Sequence, residues 1–180
     1  HHRIIVIEVM GRHTGWIALQ AGIAGGADII LVPEYPIDIE KVCESLRERH
    51  KRGKNFSLIV VSEGAHVEGY TREEETVPYY KRRVGTIGEI LGNLIEEKTG
   101  YETRVSVLGH IQRGGTPTAF DRIISTRFGV KAVELVLDKK FGKMVSLIGG
   151  KVRSVDIAEA VKEHKTIDED LYAISQVFSA

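Results

Sequence analysis

Short runs of branched apolar residues alternate along the chain with longer stretches whose apolar positions recur every three or four residues. The first pattern marks buried strands and the second amphipathic helices. Residues 3–9 read as a strand. Residues 15–24, rich in Ala and Leu, read as a helix that Gly25 and Gly26 end. A short strand at 29–32 stops at Pro33. A helix over 37–52 carries Val42 and Leu46 on one face and takes Asp38 as its N-cap. A third strand follows at 57–61. Residues 63–83 break the rhythm: Arg72 to Glu75 and Tyr79 to Arg83 are charged or polar throughout, and the span 64–83 reads as an insertion with a charged helical piece. The rhythm then resumes. A helix at 86–98 is closed by Gly100, and a strand runs over 102–108. A long helix at 116–137 has Thr116 as N-cap and Pro117 at its first position. A fifth strand at 145–148 and two closing helices, 154–163 and 169–177, complete the pattern.

Strand and helix in strict alternation predict an α/β fold with a mostly parallel sheet and helices on both faces. Such sheets take ligands at the carboxyl ends of their strands, which directs attention to the loops after Val9, Val32, Val61 and Leu108. The length of 180 residues suits one domain or half of a larger protein. A chain that opens directly on a strand without Met is expected to be cut from a longer one. Lys and Arg number 25 and Asp and Glu 25, so there is no overall charge to draw nucleic acid or an anionic membrane. No apolar run approaches the roughly 18 residues that a membrane-spanning helix needs. The one cysteine, Cys43, excludes an internal disulfide framework.

Two of the strand ends carry unusual chemistry. Met10-Gly11-Arg12-His13-Thr14-Gly15 joins the first strand to the first helix. Its glycines permit a tight turn and close approach of a ligand, while Arg12 and the helix N-terminus favour an anion. The same turn also serves as a plain bend with a solvated Arg12. Gly109-His110-Ile111-Gln112-Arg113-Gly114-Gly115 repeats that arrangement after the fourth strand. It gathers an imidazole, an amide and a guanidinium suited to phosphate oxygens and sugar hydroxyls. Glu63 follows the third strand, where it could accept hydrogen bonds from a hydroxylated ligand or remain a solvated loop carboxylate. Arg3 and Arg12 stand at opposite ends of one strand, and Arg104 and Arg113 are spaced alike on another. Each pair spans up to about 30 Å if extended, so one small ligand does not reach both members within one subunit. Arg3 and Arg104 therefore either make ordinary surface ion pairs or enter a neighbouring subunit's site. The basic helix end at 47–54 complements the helix dipole, or else forms an effector-phosphate site.

These residues resemble a known family. The run from Arg104 through Gly109, His110, Gln112, Arg113, Gly114 and Gly115, followed by Asp121 and Arg122, is similar to the signature of the 6-phosphofructokinases. Met10-Gly11-Arg12, Ala24-Gly25-Gly26 and Glu63 fall in the family's order. The resemblance implies that residues 1–180 are the Rossmann-like, fructose 6-phosphate-binding lobe of a two-lobe enzyme whose donor-binding lobe precedes them. It implies a cytoplasmic homo-oligomer, a dimer or tetramer, that phosphorylates the 1-hydroxyl of fructose 6-phosphate in glycolysis. ATP is the donor, or alternatively pyrophosphate, with Mg²⁺ held mainly by the other lobe. His13, Trp16 and the long interval from Glu63 to Arg104 resemble the branch with pyrophosphate-dependent members. A non-catalytic lobe that senses a sugar phosphate is the alternative of another class. By the resemblance, Met10, Gly11, Arg12, Glu63, His110, Ile111, Gln112 and Arg113 contact the sugar phosphate, and Arg12 also acts in catalysis. Arg3 and Arg104 would reach the 6-phosphate across an interface, and Asp28, Arg52 and Lys54 would hold an effector phosphate. No metal ligand is assigned on this chain.

Overall fold

The computed structural model of the protein describes residues 3–70 and 86–178. The described chain forms two compact units. The first runs to Arg113 and resumes at Thr166, and the second covers residues 114–165.

The first unit is built on four strands, β1 (Arg3–Val9), β2 (Ile29–Leu31), β3 (Phe56–Ser62) and β4 (Glu102–Val107). They pair in parallel in the order β2-β3-β1-β4, so β1 is central and its two neighbours are both added later in the chain. Side chains alternate across this sheet because the pleat has a period of two. Ile4 and Val6 of β1 join Ile59 and Val61 of β3 on one face, where α2 (Ile39–Lys51) and α3 (Ile87–Thr99) cover them with Val42, Leu46, Leu91 and Ile95. Ile7, Val9 and Val60 face the other way, against Ala18 and Leu19 of α1 (Trp16–Ala24) and Leu171 and Tyr172 of α6 (Glu169–Phe178). Helices on both faces of a parallel sheet are thus observed as the strand–helix alternation implies. Local signals hold at the helix ends as well. Asp38 caps α2 through the N–H groups of Glu40 and Lys41, and Thr86 and Glu89 form a capping box on α3.

Residues 64–70, the described part of the expected insertion, are tied to Ile37. The Ile37 N–H donates to the His66 carbonyl at 2.8 Å, and the Glu68 N–H donates to the Ile37 carbonyl at 2.9 Å. Ala65 and Val67 are buried there. Residues 71–83 of that expected insertion lie outside the described residues.

The second unit departs from expectation in two places. The long helix α4 (Ala119–Leu137) begins three residues later than 116, with Thr118 as its N-cap rather than Thr116. Asp121 decides this: its carboxylate accepts from the Thr118 N–H at 2.8 Å while the Asp121 N–H donates to the Thr118 hydroxyl at 3.2 Å. Only Thr118 has an acidic partner at the right spacing for a capping box. In addition, residues 154–156, expected to open a helix over 154–163, are not helical. They belong to β6 (Lys151–Asp156), which pairs antiparallel with β5 (Lys143–Ile148), and among the described residues β5 pairs with no strand of the parallel sheet. Gly149 and Gly150, both at positive φ (57° and 74°), make the two-residue turn that a right-twisted hairpin requires. Only the short α5 (Ile157–Ala160) remains of the expected helix. Leu135 is the one buried side chain of this unit, on the helix that packs against the ribbon.

The capping box carries a pH signature. Hydrogen bonds from the Thr118 hydroxyl and N–H hold the Asp121 carboxyl below the usual carboxylate range. A depressed folded-state pKa means that the cap contributes above the ordinary carboxylate value and is lost as pH falls through the lower folded value. A carboxyl-detected NMR titration is expected to place the Asp121 midpoint below that of the other exposed aspartates without such bonds. Thr118→Ala should raise it only part of the way, because the bond from the backbone N–H at position 118 remains.

Candidate sugar-phosphate site at the strand ends

The carboxyl ends of β3, β1 and β4 lie side by side, with adjacent strands about 5 Å apart. Three loops leave there, and backbone bonds stitch them together. The Glu63 N–H donates to the Val9 carbonyl at 2.8 Å, the Gly64 N–H to the Gly11 carbonyl at 3.0 Å, and the Leu108 N–H to the Glu8 carbonyl at 3.0 Å. Side chains extend the stitching. The Met10 N–H donates to Gln112 Oε1 at 3.3 Å, across 102 residues of sequence, and Gln112 Nε2 donates to the Gly109 carbonyl at 3.1 Å. The Gly11 N–H lies 3.5 Å from Glu63 Oε1.

Two glycines make this closeness possible. A Cβ on Gly64 would stand 2.0 Å from the Arg12 carbonyl oxygen and 2.6 Å from its carbon. Gly11 has φ of +145°, and a Cβ there would stand 2.3 Å from Ser62 Oγ. The turn at residues 10–12 therefore rests directly on the backbone at 62–64. It carries Arg12 outward, exposed, between half-buried Glu63 on one side and exposed His110, Ile111 and Arg113 on the other. Gly109–Arg113 folds as a short 3-10 helix. Among the described residues no carboxylate pairs with Arg12, His110 or Arg113. The structure thus brings together Met10, Gly11, Arg12, Glu63, His110, Ile111, Gln112 and Arg113 on the loops of three adjacent strands. Two guanidinium groups and an imidazole gathered on rigid backbone suit a phosphorylated, hydroxylated ligand.

Arg3 and Arg104 stand elsewhere. Arg3 is the first residue of β1 and pairs in register with Glu102, while Arg104 pairs with Ile5. Both guanidinium groups reach the same carboxylate. Arg104 bonds Glu102 at 2.8 and 2.9 Å, and Arg3 Nε lies 3.6 Å from its other oxygen. Arg104's hydrogen bonds, with a smaller contribution from Arg3, hold the Glu102 carboxyl below its usual range. The two arginines form one exposed cationic pair near the amino ends of the strands.

Of the residues read as an effector site, Asp28 has internal partners. Its carboxylate accepts from Arg49 Nη2 and, at 2.8 Å, from the Leu58 N–H. It anchors α2 to β2 and β3. Arg52 and Lys54 are exposed at the end of α2 and just beyond it.

Sequence reasoning passed over Glu34. Both of its oxygens accept from the Gly15 N–H, at 3.1 and 3.0 Å, and one also accepts from the Ile167 N–H at 3.3 Å. Gly15 is the N-cap of α1 and brings no capping side chain of its own. Glu34 supplies the missing acceptor and a negative charge at the dipole's positive end. An acidic residue straight after β2 was the available signal, the same as at Glu63 after β3. Glu34→Ala is expected to lower stability by about 1–2 kcal/mol, read as a shift in the urea midpoint at constant slope. Among the described residues no group of three or more His, Cys, Asp and Glu could hold a metal ion. No helix among them is long and apolar enough to cross a membrane.

Comparison with known proteins bears on this geometry. The family described as Phosphofructokinase matches residues 1–136. The pyrophosphate–fructose 6-phosphate 1-phosphotransferase of Streptomyces coelicolor is 48% identical over 99% of this chain and 53% of its own length. The ATP-dependent 6-phosphofructokinase of Spirochaeta thermophila is 47% identical over 94% of this chain and 47% of its own. Among solved structures, the T-state phosphofructokinase of Pichia pastoris superposes with a TM-score of 0.72 at 31% identity, over 99% of this chain and 19% of that one. The pyrophosphate-dependent phosphofructokinase of Marinobacter aquaeolei gives 0.73 at 24% identity, over 98% of this chain and 48% of that one, and speaks for the fold alone. The chain spans about half the length of the curated relatives it matches.

Proposed function

The chain belongs to the phosphofructokinase family, and from that premise we propose that it is the sugar-phosphate-binding part of a 6-phosphofructokinase. The whole protein transfers a phosphoryl group to the 1-hydroxyl of fructose 6-phosphate, giving fructose 1,6-bisphosphate. The observation that carries this reading is the Met10–Gln112 bond, which locks the Arg12 turn against the His110–Arg113 turn. Cations from two distant segments are thereby held at one strand edge.

The residues divide the work by their chemistry. Arg113 offers two parallel N–H donors to a phosphate, and His110 adds another. Glu63 and Gln112 accept from and donate to sugar hydroxyls, and Met10, Gly11 and Ile111 shape the floor and rim. Arg12 projects from the turn beside them, where a fixed positive charge offsets the charge that builds on a phosphoryl group in transfer. Arg3 and Arg104 would serve the 6-phosphate of a neighbouring subunit in a homo-oligomer by exchanging their surface ion pairs with Glu102 for the phosphate. Arg52 and Lys54, exposed near the end of α2, are the residues this reading assigns to an effector phosphate, with Asp28 anchoring that helix. On this reading, Mg²⁺, the phosphoryl donor and the general base belong to the part of the relatives' length that this chain does not span. The reading places the enzyme in the cytoplasm.

Relatives of both donor types match at 47–48% identity, so pyrophosphate stands beside ATP as donor. The test is a transfer assay on the full-length protein with fructose 6-phosphate and Mg²⁺, run with ATP and with pyrophosphate in parallel. Turnover with one of them is expected. Silence with both, from folded protein, contradicts the enzyme and leaves a lobe that senses sugar phosphate.

A further inference from the structure

The glycine turn between β1 and α1 ends on a helix N-terminus. Such an end ordinarily attracts anions, because its N–H groups lack intrahelical acceptors and carry the positive end of the dipole. Here a carboxylate of the chain itself stands there. Both oxygens of Glu34 accept from the Gly15 N–H, at 3.1 and 3.0 Å, and Oε1 also accepts from the Ile167 N–H at 3.3 Å. Among the described residues no Lys or Arg pairs with this carboxylate, so backbone N–H groups meet its charge. The fit is close. A Cβ on Gly15 would stand 3.2 Å from Glu34 Oε2 and 2.4 Å from Val32 Cγ1.

In this α1 differs from the helices that follow it. α2 takes a carboxylate from Asp38 at its N-cap, and α3 takes one from Glu89 in its first turn. α1 has no acidic residue in its first turn and no capping side chain. Without Glu34 its N-terminus would stand open, three residues after the exposed Arg12. A guanidinium and a helix dipole so placed make a second seat for phosphate beside the Arg113 turn.

We propose that Glu34 is a specificity-determining residue of the sugar-phosphate site: it fills the anion seat at the start of α1 and so leaves the ligand's phosphate to the Arg113 turn. The inference rests on the sugar-phosphate reading of the strand ends. A phosphate free to settle at either turn would let a sugar phosphate bind in two orientations. The carboxylate removes one of them, by occupying the N–H group and by repelling a second anion. Specificity commonly depends on a repulsive element of this kind as well as on the attractive contacts.

The test uses Glu34→Ala and Glu34→Gln in the full-length protein, titrated calorimetrically with inorganic phosphate, fructose 6-phosphate and fructose 1-phosphate. Glu34→Ala opens the seat, so its affinity for inorganic phosphate should rise about 3- to 10-fold although the variant is less stable. Its preference for fructose 6-phosphate over fructose 1-phosphate should fall by a similar factor. Glu34→Gln loses the charge but keeps an oxygen for the Gly15 N–H. Its gain should lie between wild type and alanine, and it carries the test if the alanine variant does not fold. The gain should persist in the double variant Glu34→Ala/Arg113→Ala, because the opened seat is separate from Arg113. Phosphate affinity and sugar-phosphate preference left unchanged, or a uniform loss for all three ligands, would make Glu34 a helix cap only, and the proposal fails. A gain that Arg113→Ala abolishes would place the new seat away from α1, and the proposal fails equally. Wild-type protein that binds no fructose 6-phosphate would instead overturn the sugar-phosphate reading, and this inference with it.

Discussion

Gly64→Ala is expected to abolish measurable sugar-phosphate binding, with a loss of at least 100-fold, and to lower stability by about 2–3 kcal/mol. The added Cβ would lie 2.0 Å from the Arg12 carbonyl oxygen, 2.6 Å from its carbon and 2.8 Å from the Gly11 carbonyl oxygen. All three are backbone atoms, so no side chain can swing aside to make room. The turn must withdraw, and the Gly64–Gly11 bond of 3.0 Å breaks with it. Arg12 then leaves its place by about the length of a bond, a misplacement large enough to undo binding geometry. Gly129→Ala is the control. Nothing lies within 4 Å of a Cβ there, in the middle of α4, so it should be neutral or stabilising by up to about 1 kcal/mol. Urea denaturation and calorimetric titration of the two variants side by side check both halves of this expectation.

Arg113→Ala is expected to weaken fructose 6-phosphate binding by about 2–3 kcal/mol, roughly 30- to 150-fold, with little change in stability. The guanidinium is exposed, and no carboxylate pairs with it among the described residues. Its removal therefore leaves no buried partner stranded. Arg113→Lys should recover only part of the loss, because an ammonium keeps the charge but not the two parallel donors. Affinity for fructose 6-phosphate set against affinity for fructose separates the phosphate contact from the sugar contacts. Equal weakening of both would assign Arg113 to the sugar ring instead.

The parallel sheet was legible because its signals are local and repeated. Each strand is a short branched run, each helix has its own periodicity, and Asp38 and Thr86 cap the helices they precede. The ribbon β5–β6 was misread although Gly149-Gly150 is a turn signal. Residues 151–156 are too few and too mixed to outweigh the expectation of another helix after a strand. Thr116 and Thr118 compete for the same cap, and Asp121 settles it through one side-chain bond that spacing alone did not weigh.

The site divides the same way. Gly11, Arg12, His110, Gln112 and Arg113 announce themselves as glycine-flanked polar turns at strand ends. Glu34 and Glu8 do not, since what they do depends on segments distant in sequence. Glu8 is a buried carboxylate near the carboxyl end of β1 that accepts from the Gly88 N–H at 2.7 Å and so meets the first turn of α3. Nothing in the sequence near Glu8 foretells a helix start 80 residues away. The contact of Arg3 and Arg104 with Glu102 lies between these cases. Equal spacing along two strands placed the arginines at one end, but the shared carboxylate depends on β1 and β4 being neighbours.

The most direct measurement is a calorimetric titration of the full-length protein with fructose 6-phosphate, fructose and inorganic phosphate. Cations and hydrogen-bonding groups joined on one strand edge predict saturable binding of fructose 6-phosphate, far tighter than either fragment alone, and lost in Arg113→Ala. Fructose 6-phosphate that binds no better than inorganic phosphate, or equally well to wild type and Arg113→Ala, would contradict a sugar-phosphate site at these turns.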